Sequence, residues 1–374
     1  MSELKNAMDY YPIWYEKNRP FSKRVGGAVA DRGLTSQAMQ TIQSLITSKW
    51  NESLMQKVIT SEFAQTDIAK EISLALYFGA YYAAGKQLFQ ITEALGKMLR
   101  NTAADEIPIG AIRSPYESYF IQFHEAVFWE GKPIIGAYII DNDQINMLQI
   151  CLVIAPLDPG THWMNSPAGY FFVPLSRGNP EASLGHLIDT SIHSEIVLKW
   201  EHATKSMPLI EEMGLIDKRT QRAKRESMNL SAAKVAIQES LSLIANALCY
   251  LTSDERDESV SYPADASRSL LEKMESGATP KIKAKAEIEL KKHGYLPVTY
   301  IGNKLTAEGS VSNLGNGIRE HWRRGHWRNQ AYGDSRSQRR LVWIKPTLVG
   351  TDKSHDTVTS DSARVYKVNG KHED

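Results

Sequence analysis

The sequence predicts an α+β protein, with a helical N-terminal region followed by a mostly antiparallel sheet with packed helices. Apolar residues recur at helical spacing in residues 1–105. Residues 106–176 instead contain four short runs rich in β-branched and aromatic residues. Turn-prone stretches separate these runs, and the spacing is too tight for intervening helices. We therefore expect neighbouring runs to pair as antiparallel strands.

In the N-terminal region, the apolar pattern predicts a helix that continues through Gly79 and Gly85. Each glycine costs such a helix about 1 kcal/mol relative to alanine, so small residues here indicate close helix packing. Tyr77, Tyr81 and Tyr82 form a cluster on this helix. Such a cluster is more often core or an oligomer face than a ligand site. If it is an oligomer face, the protein would form a homodimer.

The sheet region and the segments after it define the expected organisation. The four predicted strands are Tyr119–Trp129, Ile134–Ile140, Ile145–Ala155 and Tyr170–Pro174. We expect a helical region over 1–105, an α+β domain over 106–350 and a polar tail over 351–374.

Three helical segments are predicted after the sheet region. Asn179-Pro180-Glu181 combines a capping residue, a proline for the first helical position and an acid, which predicts a helix running to about Thr204. Apolar residues at alternating steps of four and three predict an amphipathic helix over Ser231–Leu251. The basic stretch Lys281–Lys292 is typical of a solvated helix face, and Leu296–Ile301 of a strand. Residues 302–317 are predicted to form a loop.

Composition excludes several classes of protein. The formal net charge is +1, so contact with a polyanion or an anionic membrane would need a local basic patch. Cys151 and Cys249 are too few for a disulfide framework or a zinc site, and we expect two buried thiols in a reducing cytoplasm. No secretory signal is recognisable, and the longest apolar stretch, Ile72–Ala84, is shorter than a membrane span.

Motifs for cofactor or metal chemistry are not recognised in this sequence. It has no phosphate loop, dinucleotide fingerprint, zinc-protease motif or nucleophile elbow, so we expect neither a cofactor nor a metal. Asp141 and Asp143 could bind a divalent ion, but aspartate is also common in turns, and a turn is favoured. His186 and His193 would lie about 10 Å apart on one helix, too far to share an ion.

The most unusual composition lies in residues 317–346. This segment holds seven arginines and one lysine against two acids, together with three of the eight tryptophans. We predict two strands joined by a turn near Gly333-Asp334-Ser335. In a regular strand Trp322 and Trp327 point to opposite faces, so one of them serves the core and the other faces a partner or a second layer.

Arginine beside tryptophan gives this segment the properties of a recognition surface. A guanidinium group can stack on an indole and still donate hydrogen bonds to carboxylates, peptide carbonyls, phosphates or unstacked bases. The predicted binding residues are Trp322, Arg323, Arg324, His326, Trp327, Arg328, Tyr332 and Trp343. The alternative is a scaffold in which arginine–acid pairs and arginine–tryptophan stacking only shape the fold.

A catalytic interpretation rests on two histidines in the same segment. His321 and His326 could act as an acid/base pair in metal-free RNA cleavage. Their spacing places them on opposite faces of a regular strand, so a bulge at Gly325 would be needed to bring them together.

The segment also resembles a known family. Arg323-Arg324-Gly325-His326-Trp327, then Tyr332-Gly333, Trp343 and Pro346, is similar to the C-terminal signature of type V-A anti-CRISPR proteins that block production of the CRISPR nuclease. A weaker likeness covers Phe172-Val173-Pro174 and the helix after it.

The resemblance implies a non-enzymatic regulator carried by a mobile genetic element such as a phage or plasmid. It would recognise the emerging N-terminal part of a target polypeptide, after which the target's mRNA is degraded. The implied partners are that nascent polypeptide, the translating ribosome or mRNA, and a recruited host nuclease, all in the cytoplasm and not at a membrane. The alternative functions are a nucleic-acid-binding module and a metal-independent ribonuclease.

Overall fold

The computed structural model describes residues 5–59, 64–142, 146–155, 169–198, 230–276, 279–305 and 321–349. The helices are α1 Tyr11–Asn18, α2 Pro20–Val29, α3 Ser36–Ile59, α4 Ala64–Ala83, α5 Glu93–Arg100, α6 Leu184–Ile192, α7 Leu230–Thr252, α8 Arg268–Ser276 and α9 Pro280–Lys292. The strands are β1 Gln87–Ile91, β2 Thr102–Ala103, β3 Ser118–Trp129, β4 Lys132–Asn142, β5 Met147–Ile154, β6 Gly169–Ser176, β7 Glu258–Ser261, β8 Val298–Ile301, β9 His321–Arg323, β10 Gly325–Tyr332, β11 Gln338–Ile344 and β12 Thr347–Val349. Single 3-10 turns occur at Ala7–Asp9, Ile109–Ala111 and Asp334–Arg336.

Seven strands form the central sheet, in the order β6-β5-β4-β3-β1-β8-β7. The predicted antiparallel arrangement of β3, β4, β5 and β6 is confirmed. β1 is an interior strand of the sheet and pairs in parallel with both β3 and β8, while β7 pairs antiparallel with β8. The fold is therefore α+β with a mostly antiparallel sheet, as predicted.

The position of β1 corrects the helix predicted through Gly85. α4 ends at Ala83, and Gly85 and Lys86 then adopt left-handed backbone angles, with φ of +84° and +58°. These angles turn the chain out of the helix and directly into β1. Five residues of strand next to a long apolar helix give too short a pattern to be recognised in the sequence.

The sheet is covered on both faces, and alternate residues of each strand contribute to two separate cores. On one face Leu88, Phe120 and Tyr138 pack with the N-terminal helices, and the tyrosine cluster of α4 is buried there, which confirms its interpretation as core. On the other face Ile121 and Ile139 pack with α5, α6 and α7. This alternation follows from the two-residue period of a strand.

α7 is the central helix of the second core. It matches the predicted helix over Ser231–Leu251, and its apolar stripe is fully buried. Ser231–Thr252 is also long and apolar enough to cross a membrane, but 72% of that window is buried inside the protein. α7 contacts the sheet as well as β2 and β11, so its apolar residues form the interior that joins these parts.

The helix predicted to begin at Asn179 begins instead at α6, where Ser183 is the cap and accepts a hydrogen bond from the His186 N–H at 3.3 Å. The segment before it pairs with the 3-10 turn Ile109–Ala111, since the carbonyls of Pro180 and Ala182 accept from the N–H groups of Gly110 and Ile109. Those carbonyls are engaged outside the helix, which explains the later start. α6 continues as a π-helical turn, His193–Val197, and the predicted end near Thr204 lies outside the described residues.

The remaining predictions concern the C-terminal half. α9 carries its lysines on the exposed side, which confirms a solvated face, and β8 is the strand predicted near residue 298. Residues 306–317 of the predicted loop, and the tail 351–374, lie outside the described residues. The division of the chain near residue 105 stays a prediction.

Neighbouring glycines in α2 should respond in opposite ways to alanine. A Cβ at Gly26 would lie 2.7 Å from Cγ of Tyr82, whereas a Cβ at Gly27 would have no neighbour within 4 Å. We expect Gly26→Ala to lower the free energy of unfolding by about 1–3 kcal/mol through overpacking. Gly27→Ala should raise it by up to about 1 kcal/mol, because alanine has the higher helix propensity. Urea unfolding measures both, and equal effects would contradict this packing.

Both cysteines should be unreactive in the native protein. Cys151 and Cys249 are fully buried, and burial raises the pKa of both thiols, so neither is a thiolate near neutral pH. We expect a thiol reagent to label them only as fast as the protein unfolds. Labelling that is complete in the native state, without urea, would contradict the buried positions.

Candidate functional site

Strands β10 and β11 form a hairpin that contains most of the predicted binding residues. Seven residue pairs join the strands, from His326 with Ile344 to Tyr332 with Gln338. Gly333 and Ser335 in the connection have φ of +75° and +53°, which confirms the predicted turn. The hairpin therefore fixes the register of every exposed side chain on it.

The first predicted strand of this segment is in fact two strands. It is interrupted at Arg324, so that β9 pairs with β12 and β10 pairs with β11 and β2. At Gly325 the chain changes partner, and its N–H donates to the Asn101 carbonyl at 2.7 Å. A Cβ at this position would lie 2.7 Å from the backbone nitrogen of Pro346, so glycine is required for the close approach.

Trp327 and Trp343 lie opposite each other on the inner face of the hairpin and are only 6% and 4% exposed. Their rings stack, with centroids 5.5 Å apart and an angle of 13° between the planes. Both were predicted as binding residues, but the structure places both in the core against α7. Trp327 is thus the one that serves the core, while the side chains of His321 and Trp322 lie outside the described part.

Polar partners inside the core explain why the tryptophans are oriented inwards. Trp327 Nε1 donates to Asn246 Oδ1 at 2.8 Å, and Asn246 Nδ2 donates to the Thr102 carbonyl at 3.0 Å. Trp343 Nε1 donates to Thr102 Oγ1 at 3.2 Å. Each indole N–H therefore has an internal acceptor, and α7 and β2 hold the hairpin in place.

The outer face of the hairpin carries the exposed candidates. His326, Arg328 and Tyr332 of β10 point away from the core. The guanidinium carbon of Arg340 lies 5.2 Å from the centre of the Tyr332 ring, a cation–π contact that orients the arginine. Arg323 and Arg324 are also exposed, and the Arg324–Asp105 ion pair, at 3.7 Å, is open to solvent and weak.

A polar pocket of about 250 Å³ lies between β11 and the turn Ile109–Ala111. Its lining residues are Pro108, Gly110, Ala111, Arg113, Pro180, Glu181, Thr252, Asp254, Asn329, Tyr332, Arg339, Arg340 and Leu341. In the described part of the chain β11 pairs with β10 alone, so its second edge is an unpaired strand edge. Within the described residues, the pocket is therefore lined by three arginines and lies beside an unpaired edge of β11.

An ion pair holds the opposite wall of this pocket. Arg177 donates to both carboxylate oxygens of Asp141, at 2.8 and 2.6 Å, and also to the Ile109 and Ile112 carbonyls. Asp141 is therefore occupied by an arginine, which gives it a structural role, while Asp143 lies outside the described residues.

The other predicted metal ligands are not brought together. His186 and His193 are both exposed, and the described residues contain no group of three or more potential ligands that could hold a metal ion. Sequence reasoning did not select Arg113, Asn246 or Thr102. No local motif marks them, because their roles depend on contacts between distant segments.

Comparison with known proteins gives the family. The model of the Anti-CRISPR type V subtype A2 family matches residues 89–351, more than two thirds of the chain. The chain belongs to this family. The resemblance noted in the C-terminal segment is therefore correct at the level of the family, and the match extends well beyond that segment, from β1 to the end of β12.

Among solved structures, a crystal structure of AcrVA2 is similar to this family member, with 14% sequence identity and a TM-score of 0.38. That similarity covers 92% of this chain and 100% of the other. No curated protein matches the sequence.

Removing the amide of Asn246 should destabilise the hairpin attachment. Asn246→Ala leaves the Trp327 indole N–H without an acceptor and the Thr102 carbonyl without a donor, both in the core. We expect the free energy of unfolding to fall by about 2–4 kcal/mol, since each unpaired buried group costs about 1–3 kcal/mol. In a Trp327→Phe background the loss should be smaller, because one of the two partners is already gone. Equal losses in the two backgrounds would contradict the coupling.

Proposed function

We propose that this family member is an anti-CRISPR regulator that recognises the nascent N-terminal part of a target polypeptide and promotes decay of its mRNA. The observation that carries the proposal is the edge of β11 that no described residue pairs with, beside a polar pocket and on a hairpin that the core holds rigidly. A polypeptide emerging from the ribosome is extended and has unpaired backbone groups. An open strand edge can bind such a segment by main-chain hydrogen bonds.

The side chains around this edge support a peptide ligand. Asn329 and Tyr332 offer neutral hydrogen-bonding groups, while Arg339 and Arg340 offer donors for carbonyls and carboxylates. Trp327 and Trp343, which are packed in the core, would keep the edge of β11 in position. The contact surface would then include Arg328 and Tyr332, whereas decay itself would be carried out by a recruited host nuclease in the cytoplasm.

Binding of nucleic acid is the second candidate, and the exposed arginines of the hairpin favour it. Arg328, Arg339 and Arg340 are exposed on the hairpin, and Arg323 and Arg324 are exposed immediately before it. Cationic side chains on an open surface suit phosphates, and binding of that kind weakens steeply as the salt concentration rises. The ribonuclease hypothesis has less support, because His326 is exposed on the outer face while nothing described places His321 beside it.

Two recoded target genes separate recognition of the peptide from recognition of the RNA. In cells that express a type V-A nuclease, one gene has synonymous changes in its first codons, which keep the peptide and alter the RNA. The other has a compensated frameshift over the same codons, which keeps nearly all of the RNA and alters the peptide. We expect the protein to lower the mRNA of the first gene and to leave that of the second unchanged, as measured by quantitative transcript analysis.

The variants Arg328→Ala and Arg268→Ala provide matched tests in the same cells. Arg328 lies on the hairpin, whereas Arg268 lies on α8 with 92% of its side chain exposed. We expect the first change to weaken the loss of mRNA and the second to have no effect. Loss of mRNA that follows the nucleotide sequence instead of the peptide would refute nascent-peptide recognition and favour the RNA-binding alternative.

A further inference from the structure

We infer that the pocket beside β11 is a carboxylate site that selects an acidic side chain in the bound peptide. This inference rests on the proposed function, since it specifies which residue of a nascent peptide the strand edge selects. It concerns three arginines that reach the pocket from two distant segments. Arg113 follows the turn Ile109–Ala111, and Arg339 and Arg340 belong to β11.

Within the described residues none of the three guanidinium groups forms an ion pair, although Asp141 and Glu239 bind other arginines of the chain. The guanidinium carbon of Arg340 lies 5.2 Å from the centre of the Tyr332 ring. A guanidinium group in such a contact can still donate hydrogen bonds to a ligand. Arg113 is anchored by its backbone, because its N–H donates to Thr252 Oγ1 at 3.0 Å and its carbonyl accepts from the same hydroxyl at 3.1 Å.

The charge of the pocket favours a single carboxylate over a polyanion. Glu181 and Asp254 also line it, so its lining residues carry three positive and two negative charges, a net charge of +1. One carboxylate can bind a guanidinium fork through two parallel hydrogen bonds. A run of phosphates would instead bring several negative charges towards Glu181 and Asp254, at a cost in repulsion.

The volume and the apolar lining of the pocket also favour a carboxylate side chain. Its volume of about 250 Å³ is below the roughly 300–1,000 Å³ of typical small-molecule sites. Pro108, Pro180 and Leu341 give it apolar walls that suit the methylene groups of a glutamate or aspartate side chain. The adjacent edge of β11 would bind the backbone of that residue. Such a site would select targets with an acid at one fixed position.

Purified protein and defined peptides test this site directly. The probes are capped hexapeptide mixtures in which one position is fixed as Glu, Gln or Lys and the other positions are randomised. Binding is followed by the side-chain Nε–Hε resonances of Arg113, Arg339 and Arg340. We expect the Glu mixture to shift these resonances and to bind at least about tenfold more tightly than the Gln mixture, the difference expected for one charge-assisted hydrogen bond.

Three variants distinguish the pocket from the general surface. Arg339→Gln should abolish the preference for Glu over Gln, and Arg339→Glu should transfer it to the Lys mixture. Arg268→Gln, an equivalent loss of charge on α8, should leave the preference intact. Circular dichroism of each variant checks that it is folded. If Arg339→Gln is unfolded, Arg113→Gln takes its place in the same comparison.

Three results would overturn the inference. They are equal binding of the Glu and Gln mixtures, an absence of shifts with every mixture, and tighter binding of a uridine hexanucleotide at the same resonances. Failure of this site differs from failure of the proposed function. If mRNA loss depends on the peptide but is unchanged in Arg339→Gln, the function stands and this site is wrong. If Glu peptides bind but mRNA levels do not change, the site stands and the function is wrong.

Discussion

The stacked pair of Trp327 and Trp343 is the interaction on which the rest of the candidate site depends. It fills the space between the hairpin and α7, and truncation of one such buried tryptophan typically costs about 3–5 kcal/mol. Stacking alone would allow the hairpin to slide along the helix. The hydrogen bonds of the two indoles to Asn246 and Thr102 remove that freedom, because each indole N–H can reach its acceptor in only one position of the hairpin.

This attachment also explains why tryptophan and arginine alternate in the same strands. A two-stranded hairpin is marginally stable in water by itself. Its inner residues must therefore bind it to a larger core, while its outer residues remain free for contacts. Trp327 supplies the first requirement, and Arg328 and Tyr332 supply the second. The unusual composition of the segment combines an anchor and a surface, so its two buried tryptophans are not available for recognition.

Sequence patterns predicted the parts of the fold that local periodicity determines. β3 to β6 alternate regularly between two cores, and α7 carries a continuous apolar stripe, so both were predicted nearly to their ends. β1 was missed because five residues give a weak pattern, and its identity as a strand comes from β3 and β8 on either side. The helix start at Asn179 was wrong for a similar reason, since the Pro180 carbonyl is engaged by Gly110, a residue distant in sequence.

The candidate site was predictable only in part, for the same physical reason. The two-residue period of a strand placed Trp327 and His326 on different faces of the same strand. It could not show which face packs against the core, because both faces mix aromatic and charged residues. Nothing in the sequence distinguishes Arg113 from other arginines. It lines the pocket only because the turn Ile109–Ala111 lies beside β11 in the fold. Long-range contacts of this kind leave no local pattern to read.

The two walls of the pocket are held by different interactions, and this bears on how it can work. The β11 wall is fixed by the Trp343 indole, which donates to Thr102 Oγ1 of β2 and packs against Tyr250 of α7. The turn wall is fixed by Arg177, which joins Asp141 of β4 to the Ile109 and Ile112 carbonyls. The Arg177–Asp141 pair is mostly buried, with side-chain exposures of 14% and 11%. Salt therefore screens the attraction within this pair less than the attraction between the exposed arginines and a ligand. Added salt would thus weaken a ligand's charge contacts before it loosened the walls. Because both walls are already in place, little ordering free energy is lost when an extended segment binds between them.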